Sequence, residues 1–161
     1  MKDFGATRIR RAFYIVVAFL LCPAIAICSS AKTSSANAGV QKLLETQASA
    51  WNSGDLDEFL TGYLRSDQTS YVSGGTEVKG FSALRDRYQK KYGNSRQTMG
   101  KLSFSDLEVQ DLGRSNALCI GHWLLERTDK STVGGIFSLV LVRTKSDWKI
   151  MHDHTSVNDA K

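Results

Sequence analysis

Two of the chain's three histidines stand two residues apart near its end, His152 and His154, with Trp148 and Ile150 before them at the same spacing. On a strand, residues two apart share a face. With Trp148 and Ile150 taken as core, the alternation carries both imidazoles inward, toward the open end of whatever the strand helps to enclose. There an imidazole could hold a ligand carboxylate, act as acid or base near neutral pH, or bind a metal. The same pattern also suits a pair that closes the strand by hydrogen bonding to backbone or to a neighbouring acid. A metal site needs at least three ligands. The remaining histidine, His122, has the opposite parity to Trp123 and so points outward, and no carboxylate stands at ligand spacing to complete a set. The expectation is no metal and no cofactor, with His154 ranked ahead of His122.

Trp51, Tyr63, Tyr71 and Trp123 fit the walls of a ligand cavity, or an ordinary aromatic core. Glu126 and Arg127 end a strand on opposite faces, and whichever points inward can anchor a charged ligand; Arg127 is carried forward as the candidate. Arg143 and Lys145 read as a solvated strand end. Other chemistries are missing their motifs: there is no phosphate-cradling glycine loop with its lysine, no dinucleotide fingerprint and no serine nucleophile elbow.

The elements that must position these residues follow from periodicity. Val40, Leu43, Leu44, Gln47, Ala48 and Trp51 keep helical spacing, with Gln47 alone breaking the apolar face. Asn52-Ser53-Gly54 ends that helix, and Asp55 with Glu58 three residues on caps a second. Thr69 to Ser73, a Gly74-Gly75 turn and Thr76 to Lys79 make a short hairpin. Phe81, Leu84, Tyr88 and Tyr92 mark a third helix, with Lys90 and Lys91 in its last turn and Gly93 to stop it. The remainder is β. Leu102, Phe104, Leu107 and Val109 lie on a strand or bulged strand running to about Leu112, followed by strands over Ala117 to Arg127, Gly135 to Arg143 and Trp148 to Thr155. Helices first and a meander after is an α+β plan with the helices on one face of the sheet.

The chain's first residues read as a leader. Lys2, Arg8, Arg10 and Arg11, against Asp3, precede an apolar run from Ala12 to Leu21 and a small-residue stretch to Ala31. That order is a secretory signal, and the apolar run is short of the ~20 residues needed to span a bilayer. Cleavage near Ala31 is expected, giving residues 1–31 as signal, 32–37 as a flexible lead-in and 38–157 as the domain, exported to the periplasm or medium with no membrane attachment after cleavage. The leader carries +3 of the net charge of +5, so the domain stands near +2 and has no basic stripe for nucleic acid. Cys22 and Cys28 leave with the leader. Cys119, among Leu118, Ile120 and Leu124, is expected to be a buried, unpaired thiol.

The order helix, helix, short hairpin, helix, long strands resembles the nuclear transport factor 2-like superfamily. Tyr71-Val72-Ser73-Gly74-Gly75 with Val78-Lys79-Gly80 is similar to its SnoaL-like, steroid-isomerase-like branch, as is Gly121-His122-Trp123. Trp148 to Ser156 resembles the closing strand of the calcium/calmodulin-dependent kinase association domain. The resemblance spans about residues 38–157. It implies a cone-shaped, curved antiparallel sheet with three helices from the N-terminal half on its concave side, a small organic ligand, and a homodimer through the outer sheet face. The superfamily holds cofactor-free isomerases, dehydratases and hydrolases as well as non-catalytic dimerisation or accessory modules, so fold alone fixes no activity. Its steroid isomerases use a pocket aspartate, a tyrosine and a second acid. Here Tyr71 and Asp67 are loose counterparts, and strict alternation puts no acid on an inward strand position. An enzyme of this kind would then use histidine as its acid or base; the alternative is a module whose cone is filled by its own side chains.

Overall fold

The computed structural model describes residues 35–158. The expected signal, residues 1–31, lies outside the described residues. Helix α1 (Ser35–Ser53) starts inside the lead-in expected over residues 32–37. The turn from Ser35 to Asn37 adds Ala36, 2% exposed, to the core, and that burial favours helix over a free tail. Gly54, at φ +84°, ends α1 with its Cα against the backbone of Ser95 and Arg96, where no Cβ would fit. Asp55 then caps α2 (Leu56–Leu60), its carboxylate accepting from the Glu58 N–H at 2.8 Å.

Strands β1 (Ser70–Ser73) and β2 (Thr76–Lys79) form the expected hairpin, and α3 (Phe81–Tyr92) runs to Gly93. A one-turn helix, α4 (Arg96–Met99), was not foreseen; it carries Met99, 1% exposed, onto Trp51, whose indole N–H donates to the Met99 carbonyl at 2.9 Å. Strands β3 (Lys101–Asp111), β4 (Asn116–Glu126), β5 (Thr132–Arg143) and β6 (Trp148–Thr155) complete a curved, unclosed six-stranded sheet in the order β2-β1-β6-β5-β4-β3. The long strands form an antiparallel meander. The expectation of a wholly antiparallel sheet fails at one junction, because β1 pairs with β6 in parallel.

Two register shifts shape the inner face. On β3, Ser105 pairs with His122 and Glu108 with Ile120, so two residues oppose Gly121, and Asp106 takes φ 51°. On β6, Leu141 pairs with Ile150 but Val140 with His152, which leaves Met151 as the extra residue. Beyond it the strand's parity reverses. Trp148, Ile150 and Asp153 are buried, whereas His154 is exposed. The core between sheet and helices includes Val40, Leu44, Leu84, Leu141 and Ile150, each 0–2% exposed.

Candidate functional site

A cavity of about 510 Å³ opens between the inner face of the sheet and the helices. Leu44, Trp51 and Phe59 from the helices and Phe104, Phe137 and Leu139 from the sheet give it apolar walls. Gly121 on β4 lets the wall residue Phe137 and Leu107 close over it: a Cβ there would come within 2.6 Å of the Phe137 ring and 2.7 Å of Leu107. Gln47, a polar residue on the buried face of α1, is 2% exposed and donates from Nε2 to the Phe59 carbonyl at 3.1 Å, which explains why the apolar stripe tolerates it. The C-terminal tail closes one side, with the Trp123 indole donating to the Ser156 carbonyl at 3.1 Å.

The polar end of the cavity is a carboxyl among phenols. Asp153, 5% exposed, accepts from the Tyr63 hydroxyl at 2.6 Å on Oδ2 and from the Thr155 hydroxyl at 2.8 Å on Oδ1. Since the Tyr63 proton is committed to Asp153, the 3.4 Å contact between the Tyr63 and Tyr88 hydroxyls leaves Tyr88 as donor. Tyr71, opposite Asp153 on β1, adds a third phenol, its ring centroid 5.6 Å from that of Tyr88. Burial pushes the Asp153 carboxyl above its ordinary range; the bonds from Tyr63 and Thr155, and the neighbouring His152 and His154, oppose that rise without cancelling it. The Tyr63 and Tyr88 hydroxyls are driven well above 10 by burial first and by the carboxylate's field second for Tyr63, by burial and Tyr71 for Tyr88. These phenols stay protonated donors. A protonated Asp153, already accepting two bonds, can direct its own proton at a ligand oxygen; an ionised one can take a proton from it.

The residues expected from sequence separate cleanly. Trp51, Tyr63, Tyr71, Trp123 and Arg127 all line this cavity. His152 and His154 do not. The extra residue Met151 turns both to the outer face, where His152 Nδ1 meets the Ser70 hydroxyl at 2.7 Å and His154 is solvent-exposed. The inward placement of the histidines is therefore corrected, and so is the inference that β6 offers no inward acid: Asp153 occupies that position. Asp67, the loose counterpart considered earlier, is exposed and away from the cavity wall. His122 faces outward as expected, 3.4 Å from Asp106. Glu126 is occupied by Lys130 at 3.0 Å, while Arg127 reaches the cavity. Among the described residues no group of histidine, cysteine and carboxylate side chains could hold a metal ion. Sequence reasoning missed Asp153, Thr155, Tyr88 and Lys91 as cavity residues.

Comparison with known proteins places this geometry. Residues 40–160 match the family model described as a SnoaL-like domain. A solved structure of an NTF-2 like protein of unknown function from Shewanella oneidensis is 32% identical, with a TM-score of 0.69 over 74% of this chain and 97% of that one. An NTF2-like superfamily protein from Salmonella enterica, 20% identical, superposes with a TM-score of 0.62 over 80% of this chain and 94% of its own. An NTF2-like protein with a cystatin-like fold from Novosphingobium aromaticivorans, at 14% identity and a TM-score of 0.63, shares the fold over 78% of this chain and 84% of its own. No curated protein matches the chain.

Proposed function

The chain belongs to the SnoaL-like domain family of the nuclear transport factor 2-like superfamily, and from that premise we propose that it binds a small, largely apolar organic molecule with a polar group seated on Asp153. The observation that carries this reading is a buried carboxyl on the wall of a roomy cavity lined mostly by aromatic and aliphatic side chains. A carboxyl buried only for structure would be covered on every side; this one has a side turned to space large enough for a ligand. The alternative of a cone filled by its own side chains is disfavoured by the 510 Å³ that remain. Any reaction here would be cofactor-free proton transfer of the isomerase, dehydratase or hydrolase kind, with Asp153, held by Tyr63, in the acid–base role first considered for histidine and the Tyr71 phenol as the donor to developing negative charge.

Titration with the neutral fluorescent probe N-phenyl-1-naphthylamine tests the reading. Saturable binding of one probe per chain, weakened by Asp153→Leu, is expected; absence of binding would sink it. We further propose that the mature protein starts near Lys32 outside the cytoplasm, which N-terminal sequencing of the exported fraction decides. An intact Met1 would contradict it. A homodimer through the outer sheet face, where Ile120, Leu124 and Ile136 are 40–48% exposed, completes the proposal. Burial pushes the Cys119 thiol up to about 11, so that dimer should be indifferent to reductant in sedimentation.

A further inference from the structure

The two ends of the cavity differ in charge. Its deep end holds Asp153, the one carboxyl among the lining residues, which burial pushes toward its neutral form. Its mouth holds two cations, Lys91 and Arg127, both exposed and both lining the same space. Neither takes part in an ion pair within 4 Å among the described residues. Lys91 stands in the last turn of α3, where the helix dipole favours a cation, with its Nζ 5.0 Å from the centroid of the Tyr92 ring, another lining residue. Arg127 follows β4 and donates from Nη1 to the Ser131 hydroxyl at 3.2 Å. Asp129 feels the Arg127 charge, but its carboxylate is committed to the Ser131 N–H and hydroxyl at 2.9 and 2.6 Å. Most of the Arg127 guanidinium donors thus remain for a ligand.

Resting on the reading of the cavity as a binding site, we propose that its ligand is an amphiphilic organic anion, with a carboxylate held at the mouth between Lys91 and Arg127, an apolar body along the aromatic walls, and a neutral hydroxyl or carbonyl at Asp153. A neutral ligand would leave both cations without an ion pair, Arg127 feeling only the more distant field of Asp129. A cationic ligand would meet them on entry. A ligand with its carboxylate innermost would set it against Asp153 in a buried site, which like-charge repulsion and desolvation both oppose. The polarity of the cavity therefore selects both the sign of the ligand and the end that enters first.

Two fluorescent probes separate this from the broader reading. 8-Anilinonaphthalene-1-sulfonate and N-phenyl-1-naphthylamine share the same aromatic body and differ by one sulfonate, which stands in for the carboxylate. The native chain is expected to bind the anion about tenfold more tightly, the size of a charge-assisted contact, in competition with the neutral probe. That advantage should shrink as salt is raised from about 0.05 to 0.5 M. In the double variant Lys91→Gln, Arg127→Gln the two affinities should converge through loss of anion binding that is severalfold larger than any change in the neutral probe's affinity. Equal affinities in the native chain, or an anion preference that survives the double variant, would overturn the proposal while leaving a ligand-binding cavity in place. Failure of both probes to bind would remove the cavity reading itself, and this inference with it.

Discussion

The two faces of β6 carry different kinds of residue and behave as two environments. Inward stand Trp148, Ile150 and Asp153, 1–6% exposed; outward stand His152, half-buried against Ser70, and His154, exposed. One extra residue, Met151, separates this arrangement from the one strict alternation describes. The inner carboxyl is desolvated and tied to neighbours, so its loss should be felt in both stability and binding. The outer imidazole of His154 has solvent on one side and little to lose. A titratable residue gains functional weight from the face it occupies, more than from its type.

The largest contrast should come from truncation on the two sides. Asp153→Ala removes the acceptor of the buried Tyr63 hydroxyl and of the half-buried Thr155 hydroxyl and should cost on the order of 1–3 kcal/mol in denaturant melts. His154→Ala should stay within about 0.5 kcal/mol. Equal losses would erase the distinction between the faces.

The next effect concerns packing. Gly121→Val forces methyl groups toward Phe137 and Leu107 on the inner face and should destabilise by about 1–3 kcal/mol, and it should also reduce probe binding by displacing Phe137, which lines the cavity. Ile120→Val, one residue away on the outer face, should cost under about 1 kcal/mol and leave binding unchanged. Thermal melts together with the neutral-probe titration read both.

A smaller effect is electrostatic. Folding raises the Asp153 pKa above the ordinary 3.8, so the folded state favours the protonated form. This group's contribution to stability is therefore highest below about pH 4 and is lost as pH rises through the folded value. Asp153→Asn cannot ionise and keeps an oxygen for the Tyr63 hydroxyl. Its stability relative to the native chain should climb with pH across that window and then level off. A relative stability that falls with rising pH would show an ionised, favourably paired carboxylate instead.

Smallest is a chemical readout of the same core. Cys119, 0% exposed with its thiol pushed up to about 11, should resist alkylation at pH 8 in the folded chain and react once denaturant is added.

The two bulges explain how much was legible in the sequence. On β3 the apolar residues fall at 102, 104, 107 and 109, and the break in their alternation is itself visible, because apolar residues mark the inner face on both sides of it. On β6 the inner positions are 148, 150 and 153, and the residue after the break is an aspartate. Polar residues carry no sign of facing inward, so the regular alternation extended through the bulge and took the histidines with it. Trp51 and Trp123 were readable for the converse reason: apolar or small neighbours at the element's own period, interrupted only by Gln47 on α1, mark their faces. Helix α4 escaped because four residues are too few to show a period. Tyr88 was placed on the buried face of α3, but its hydroxyl's role depends on Tyr63 and Asp153, 25 and 65 residues away in sequence.

Ligand is expected to enter the inner cavity and to leave the outer face untouched. The chain's three indole N–H groups report on this directly in a ¹⁵N spectrum, since Trp51 and Trp123 line the cavity and Trp148 does not. On addition of N-phenyl-1-naphthylamine, the Trp51 and Trp123 indole signals should shift together and saturably, while those of Trp148 and of the His152 and His154 rings hold still. Shifts confined to the two histidines and to Ile136 on the outer face, with Trp51 silent, would contradict the account.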